Sequence, residues 1–200
     1  MITKGEITRE KVLNTAIDII NIKGFTSTSI NDIIDATGVK KGNLYFHFSS
    51  KDELGKAIIL EAKKEYNKYL MNCIKGAEPL QKLDSLIYAI YKYHRKKNFI
   101  GGCIFGNFAL ELSDINSQFS TIIREVFNDW TEIFSGYLNQ AVQDGKLSSA
   151  IKPEMLARHI IASIEGGIMM SKLSKNETEM LDCIKSIYIL LGLKSDFFKI

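Results

Sequence analysis

The sequence predicts an all-α protein of about nine helices, with three short N-terminal helices, then a long helix, then a C-terminal helical bundle. Only two prolines, Pro79 and Pro153, interrupt 200 residues, so most of the chain lacks the residue that breaks helices. Apolar residues recur at three- and four-residue spacing, and no segment alternates strictly over the length of a strand. Hydrophobic residues make up 46% of the chain, which is ample for a buried core.

The first three helices are bounded by capping residues. Gly24 ends the first helix, whose apolar face includes Val12, Leu13 and Ala16. Ser29, followed three residues later by Asp32, predicts a capping box at the start of a second helix, which residues 37–38 end. A third short helix follows over about residues 41–48.

Ser50 and Glu53 form a second capping-box pattern that opens the long helix, predicted from Lys51 to about Cys73. Further helices follow Pro79, span about residues 103–112, and continue from 119 to 141 with sustained apolar spacing over about seven turns. Pro153 opens the next helix and a last one ends near residue 191. We therefore expect an N-terminal domain over residues 1–50 and a C-terminal domain over residues 51–200.

Composition excludes several classes of protein. The formal net charge of +3 gives no global argument for binding polyanions, and the three cysteines lie far apart, as in a reducing compartment. No apolar run approaches the roughly 20 residues that span a membrane, and we expect a cytoplasmic protein without membrane contact. The three histidines lie far apart without supporting motifs, so the sequence predicts no catalytic residue, metal site or cofactor.

The segment around Gly38 has the pattern of a helix-turn-helix. Two helices that cross steeply through a short turn need a glycine with positive φ, and apolar residues such as Ile33 and Leu44 to hold the angle. No acidic residue occurs from Gly38 to Lys51. The side chains expected to point outward, toward the major groove of DNA, are those of Lys40, Lys41, Gly42, Asn43, Tyr45 and His47.

Each of these residue types suits a particular DNA contact. The amide of Asn43 can recognise a base edge, and Gly42 lets the backbone approach the duplex closely. Tyr45 carries a hydroxyl able to reach a phosphate oxygen. Lys51 opens a helix whose N-terminal amides can hold another phosphate.

The run TREKVLNTAIDIINIKGFTSTSINDIIDATGVKKGNLYFHFSSKDEL, residues 8–54, resembles the DNA-binding domain of the tetracycline-repressor family over about its whole length. The resemblance implies a homodimeric bacterial repressor that leaves a palindromic operator when a small molecule enters the C-terminal domain. It also implies DNA contacts at Thr28, Lys40, Lys41, Asn43, Tyr45, His47 and Lys51. Two residues depart from the family: Ile34 replaces the usual alanine and Lys40 replaces the serine that caps the recognition helix.

The C-terminal domain holds more aromatic residues than a simple helical bundle needs. Ligand pockets are mostly apolar with a few placed polar groups, so we expect an effector site there for a largely apolar or aromatic molecule. Its candidate residues are Tyr88, Tyr91, His94, Phe105, Phe108, Asn107, Glu111, Trp130 and Phe134. The alternative is that most are ordinary core and that Glu111 is a structural acid with satisfied hydrogen bonds. Residues 101–114 also resemble a pattern in one branch of the family. The resemblance implies that shifts of the helix predicted over about residues 103–112 move the N-terminal DNA-binding domains of the dimer.

The last two helices carry too much apolar surface for a purely intramolecular core, and we expect them to form a four-helix dimer interface. Its candidate residues are Ile160, Ile164, Gly167, Ile168, Ile184, Ile187 and Leu191.

Two further functions remain open at this stage. The chain could bind DNA independently of any ligand, as an activator or an architectural protein, or respond to oxidation of Cys103. A buried cysteine that acts as a small hydrophobic residue is the simpler interpretation of Cys103. A helical enzyme is the third class, and the absence of catalytic motifs argues against it.

Overall fold

The computed structural model describes residues 3–148, 150–195 and 197–198, apart from the side chain of Lys4. These residues form nine α-helices and no strand, which confirms the predicted fold class. The helices are α1 (Lys4–Lys23), α2 (Ile30–Thr37), α3 (Lys41–His47), α4 (Lys51–Cys73), α5 (Pro79–Lys96), α6 (Ile104–Leu112), α7 (Ser117–Gln143), α8 (Pro153–Ser174) and α9 (Thr178–Leu191).

The chain packs as two compact units. The first comprises Met1–Tyr66 with Cys103–Arg124, and the second Asn67–Gly102 with Glu125–Ile200. Helices α4 and α7 therefore contribute to both units, and α6 packs with the N-terminal helices although it lies far along the sequence. This division by packing differs from the functional boundary between residues 50 and 51, which stays a prediction.

Local caps explain where the first helices begin and end. Thr3 and Glu6 form a reciprocal capping box at α1, and Ser29 and Asp32 form the predicted one at α2. Ser50 Oγ accepts a hydrogen bond from the Glu53 amide at 3.1 Å, which stabilises the start of α4.

Three aromatic rings form the centre of the first unit. Phe25 lies 5.3 Å from Phe108 and 5.2 Å from Phe119, measured between ring centroids, and all three are buried. Gly55 of α4 faces this cluster so closely that an added Cβ would lie 2.5 Å from Phe25. The absence of a side chain at Gly55 therefore lets α4 pack against the cluster.

A buried polar cluster connects α5 and α9 with the C-terminal segment, defined as Ser195, Phe197 and Phe198 after α9. The Asp84 carboxylate accepts hydrogen bonds from the Tyr188 hydroxyl and, at 2.8 Å, from Ser195 Oγ. Asp84 and Tyr188 are almost entirely buried, and burial raises the pKa of the Tyr188 hydroxyl well above its usual range.

None of the helices in the described part of the chain combines the length and the hydrophobicity that a membrane-spanning helix needs.

Candidate nucleic-acid interface

The turn between α2 and α3 is fixed by hydrogen bonds and by burial. Gly38 has φ +66°, and its amide donates to Ile34 O at 2.8 Å, which ends α2. Thr37 Oγ1 donates to Ile33 O at 2.7 Å and accepts from the Val39 amide at 3.3 Å. The buried side chains of Val39 and Leu44 hold α3 against the rest of the first unit.

The outward face of α3 carries the predicted DNA-contacting residues. Lys40 precedes the helix as its N-cap and makes no side-chain capping bond, as the sequence predicted from the missing serine. Lys40 and Lys41 form no ion pair with the described residues, and both are exposed. The other exposed members are Gly42, Asn43 and Tyr45, and His47 is half-buried.

Phe46 also lies on this face, and the sequence analysis missed it. Its side chain is 84% exposed, although phenylalanine is normally buried. The signal was available in the sequence, since Leu44 and Phe48 mark the buried side of the helix and Phe46 falls between them. An exposed ring beside Tyr45 can make apolar contact with a thymine methyl group.

The DNA contact implied at Thr28 is not available to its side chain. Thr28 is fully buried, and its Oγ1 donates to Gly24 O at 2.7 Å. The hydroxyl therefore stabilises the turn between α1 and α2 instead of reaching a phosphate.

Lys51 has contacts within the protein. Its Nζ donates to Thr26 O at 3.2 Å and lies 4.6 Å from the centroid of the Phe25 ring. Both contacts hold the start of α4 beside the turn that follows α1. The predicted phosphate contact of Lys51 stays a prediction.

Two predicted ligand-binding residues of α6 instead bind the N-terminal helices. Glu111 Oε1 accepts a hydrogen bond from the Phe25 amide at 3.2 Å, and Oε2 accepts one from the Thr26 amide at 2.9 Å. Asn107 Nδ2 donates to Asn21 Oδ1 at 2.9 Å. The structure therefore favours the alternative in which Glu111 is a structural acid. The physical reason is that two backbone amides just after α1 need an acceptor, and the Glu111 carboxylate provides one for each.

The rest of the predicted ligand-binding set falls into two groups. Phe105 and Phe108 are buried in the first unit, where Phe105 lies beside the Tyr66 ring. The second unit contains Tyr88, Tyr91, His94, Trp130 and Phe134. Of these, Tyr88 and Tyr91 lie side by side with ring centroids 6.1 Å apart, and Trp130 Nε1 donates to Asn67 Oδ1 at 3.1 Å.

Two titratable groups of α5 are strongly perturbed. Burial, together with the nearby positive charge of Lys97, lowers the pKa of His94 to about 4, so its imidazole is neutral at pH 7. Burial and a hydrogen bond to Glu177 raise the pKa of Tyr91 to about 12. Both side chains are therefore neutral polar groups within a largely apolar unit.

The predicted dimer-interface residues lie inside a single chain. Ile160, Ile164, Gly167, Ile168, Ile184, Ile187 and Leu191 are all buried in the second unit. At Gly167 an added Cβ would lie 3.1 Å from Met180 Cα, so this glycine permits the close crossing of α8 and α9. Residues buried this deeply within one chain leave almost no surface for a second subunit, so the dimer interface predicted at these seven residues needs correction.

The exposed apolar residues of α8 and α9 lie on other faces of the same helices. They are Met155, Met169, Met170, Leu173, Ile189 and Leu190, each between 46% and 75% exposed. The sequence pattern missed these exposed residues because the residues that pack α8 on α9 have the stronger periodicity.

Among the described residues, no group of three or more His, Cys, Asp or Glu side chains could hold a metal ion. The site is instead that of a helix-turn-helix DNA-binding protein. Its short helices α2 and α3 are joined at Gly38, and α3 begins with basic residues and has no side-chain cap.

Comparison with known proteins identifies the family. The profile described as "Bacterial regulatory proteins, tetR family" matches residues 12–58, and that described as "Tetracyclin repressor-like, C-terminal domain" matches residues 79–187. The chain belongs to the tetracycline-repressor (TetR) family of DNA-binding transcriptional regulators. Members of this family are regulators and not enzymes.

Individual relatives cover nearly the whole chain. An HTH-type transcriptional regulator of Lactococcus lactis, encoded in the lacX 3′ region, is 34% identical over 96% of this chain and 94% of its own length. The HTH-type transcriptional repressor DhaR of Mycobacterium sp. is 26% identical over 87% of this chain and 86% of its own. The crystal structure of a TetR transcriptional regulator from Chloroflexus aurantiacus superposes with a TM-score of 0.87 at 26% identity, covering 96% of this chain and 97% of that one.

Proposed function

We propose that this regulator is a repressor that binds a palindromic operator as a homodimer and is released when a small molecule binds its C-terminal domain. The observation that carries the proposal is the exposed, basic face of α3, which holds Lys40, Lys41 and Asn43 outward while Leu44 anchors the helix. A helix presented in this way fits the major groove, and two copies in a dimer recognise two half-sites. Since operator DNA is its target, the protein would act in the bacterial cytoplasm.

The exposed apolar residues of α8 and α9 support dimerisation. Met170, Leu173 and Ile189 are each about half to three-quarters exposed in the single chain. Exposed apolar side chains of this size on the last two helices are typical of a dimer interface. We therefore propose that the dimer interface is formed by these exposed faces of α8 and α9, and not by the buried residues that the sequence analysis selected.

The connection between α5 and α6 supports release by a ligand. Positive φ angles occur at four residues of this connector: Asn98, Phe99, Gly101 and Gly102. Because Phe99 is also buried, the surrounding protein holds the connector in this strained conformation. A shift of α5 on ligand binding would pass through this short connector to α6. Because Glu111 of α6 holds the amides of Phe25 and Thr26, such a shift would disturb the helix-turn-helix.

Selection from random duplex DNA followed by salt titration tests the proposal. We expect a two-fold symmetric operator, and Lys41→Ala should reduce the salt-dependence slope by about one per half-site. The matched control is Lys96→Ala, an exposed lysine on α5, which should leave affinity and slope unchanged. Recovery of no preferred sequence, or equal effects of both substitutions, would contradict the proposed mode of binding.

A further inference from the structure

A cavity of about 360 Å³ opens on the surface of the second unit, between α5, α9 and the C-terminal segment. Its lining residues are Tyr88, Tyr91, Arg95, Leu181, Lys185, Phe197 and Phe198. This volume lies within the range of small-molecule sites. Aromatic rings and two cationic side chains therefore meet in one recess.

The aromatic part of the cavity is a slot filled by the chain's own C-terminal segment. The Phe197 ring stacks on Tyr88 with a centroid distance of 4.5 Å and an interplanar angle of 9°. Phe198, in contrast, is 9% exposed and packs edge-on against Tyr88, Tyr91 and Tyr188. Phe198 thus anchors the segment, whereas Phe197, 40% exposed, is an outer ring that a flat ligand can replace.

The charged part of the cavity is only loosely neutralised. Lys185 pairs with Asp182 at 3.4 Å, and both side chains are more than half exposed, so this pair is weak. Arg95 contacts Glu177 Oε2 through Nε at 2.8 Å, and its side chain is 61% exposed. Its terminal N–H groups, on the other edge of the guanidinium, can therefore donate hydrogen bonds to a ligand carboxylate.

We infer that this cavity binds a planar aromatic acid, whose ring replaces Phe197 against Tyr88 and whose carboxylate pairs with Lys185 and Arg95. An uncharged aromatic molecule would form no ion pair with Lys185 or Arg95. An aliphatic acid would have no ring to replace Phe197 against Tyr88. The inference rests on the proposed function only for its consequence: α5, which carries Tyr88 and Arg95, leads directly into the connector to α6. Binding itself requires neither DNA nor release.

Calorimetric titration of the full chain without DNA tests the site, with 2-naphthoate as the probe. Two control compounds separate the two halves of the site: 2-naphthalenemethanol has the ring without the charge, and cyclohexanecarboxylate has the charge without an aromatic ring. We expect saturable binding of 2-naphthoate that is at least about tenfold tighter than that of either control. Absence of binding, or equal affinity for a control compound, would overturn the inference.

Three variants assign the binding to this cavity. Lys185→Gln should weaken binding of 2-naphthoate by about three- to tenfold, whereas Lys92→Gln, an exposed lysine outside the cavity, should not. Phe197→Ala should tighten binding by about threefold, because it removes the competing ring. Since Lys185 and Phe197 are exposed, these variants should fold, and thermal unfolding checks that they do. Weaker binding by Phe197→Ala would refute the proposed displacement of its ring, and no effect of Lys185→Gln would refute the proposed carboxylate contact.

Failure of this inference is distinguishable from failure of the proposed function. If operator DNA is bound and 2-naphthoate is not, only the aromatic-acid site is wrong. If 2-naphthoate binds with the expected variant effects but does not displace operator DNA, the site stands and its proposed regulatory consequence does not.

Discussion

Glu111 Oε2 on α6 accepts a hydrogen bond from the backbone amide of Thr26 at 2.9 Å, across 85 positions of sequence. The same carboxylate accepts the neighbouring amide of Phe25, so one acidic side chain satisfies two donors of the segment that follows α1. This contact makes α6 part of the unit that presents the recognition helix. A helix that the sequence analysis assigned to ligand binding thus has a structural connection to the DNA-binding end.

Glu111→Gln should destabilise the first unit by about 1–3 kcal/mol, because one carboxylate oxygen becomes an NH2 group that faces an amide donor. Glu132→Gln, an exposed acid of α7, is the control and should change stability little. Chemical denaturation measures the difference. Equal stability of Glu111→Gln and the unsubstituted chain would show that the hydrogen bond lost in this variant contributes nothing.

Thr28→Val should lower stability by about 1 kcal/mol through loss of the hydrogen bond to Gly24 O, and Thr28→Ser should retain most of it. The salt dependence of DNA binding should stay unchanged in both variants, because the buried hydroxyl contacts no phosphate. A reduced salt slope in a stably folded Thr28→Val would instead support the contact that the family resemblance implied.

Phe46→Ala should weaken operator binding by about 1–2 kcal/mol without lowering the melting temperature, since the ring is exposed in the free protein. Ile22→Ala, another exposed apolar residue of the first unit, should leave binding unchanged. Replacing thymine by deoxyuridine, position by position, locates the contact. The quantity to compare is the ratio of the affinities of Phe46→Ala and the unsubstituted protein. If this ratio is the same for every deoxyuridine-substituted operator as for the thymine operator, the ring contacts no methyl group.

His94 should make stability depend on pH. Its pKa is about 4 in the folded state and near 6.5 when unfolded, so the unfolded chain binds more protons between these values. The contribution of neutral His94 is therefore fully present above pH 6.5 and is lost progressively as the pH falls to 4, by at most about 3 kcal/mol. His94→Asn should flatten the unfolding free energy over this interval. The exposed His159, replaced by glutamine, should not; identical pH profiles for the two variants would contradict the assignment.

Leu173→Glu should convert the proposed dimer to a folded monomer, because it introduces a charge among the exposed apolar residues of α8. Ile164→Val should keep the dimer but lower stability by about 0.5–1.5 kcal/mol, because Ile164 is a buried core residue. Sedimentation equilibrium and chemical denaturation separate the two effects. A dimer that survives Leu173→Glu would place the interface elsewhere.

Local sequence patterns predicted the helices well, since caps and periodicity are properties of neighbouring residues. Ser29 with Asp32, and Gly38 at the turn, determine their structures without reference to the rest of the chain. The surface of α3 followed from the same logic, because burial of Leu44 decides which side chains point outward.

Long-range contacts were beyond the sequence analysis. Glu111 and Asn107 share one face of α6, but nothing local indicates that this face meets the end of α1. Similarly, a row of isoleucines on α8 and α9 has the same spacing whether it packs within the chain or between chains, and here it packs within. The slot that Phe197 fills against Tyr88 depends on the return of the C-terminal segment to α5, which no periodicity predicts.

Base-by-base affinity of the Asn43→Ala variant tests the central claim that the exposed face of α3 recognises operator DNA. The account predicts relaxed preference at one base pair in each half-site, at positions related by the two-fold axis, with a loss of about 1–3 kcal/mol at the preferred base. A variant that keeps the same preference at every position would contradict base recognition by Asn43, the residue on which this claim most directly depends.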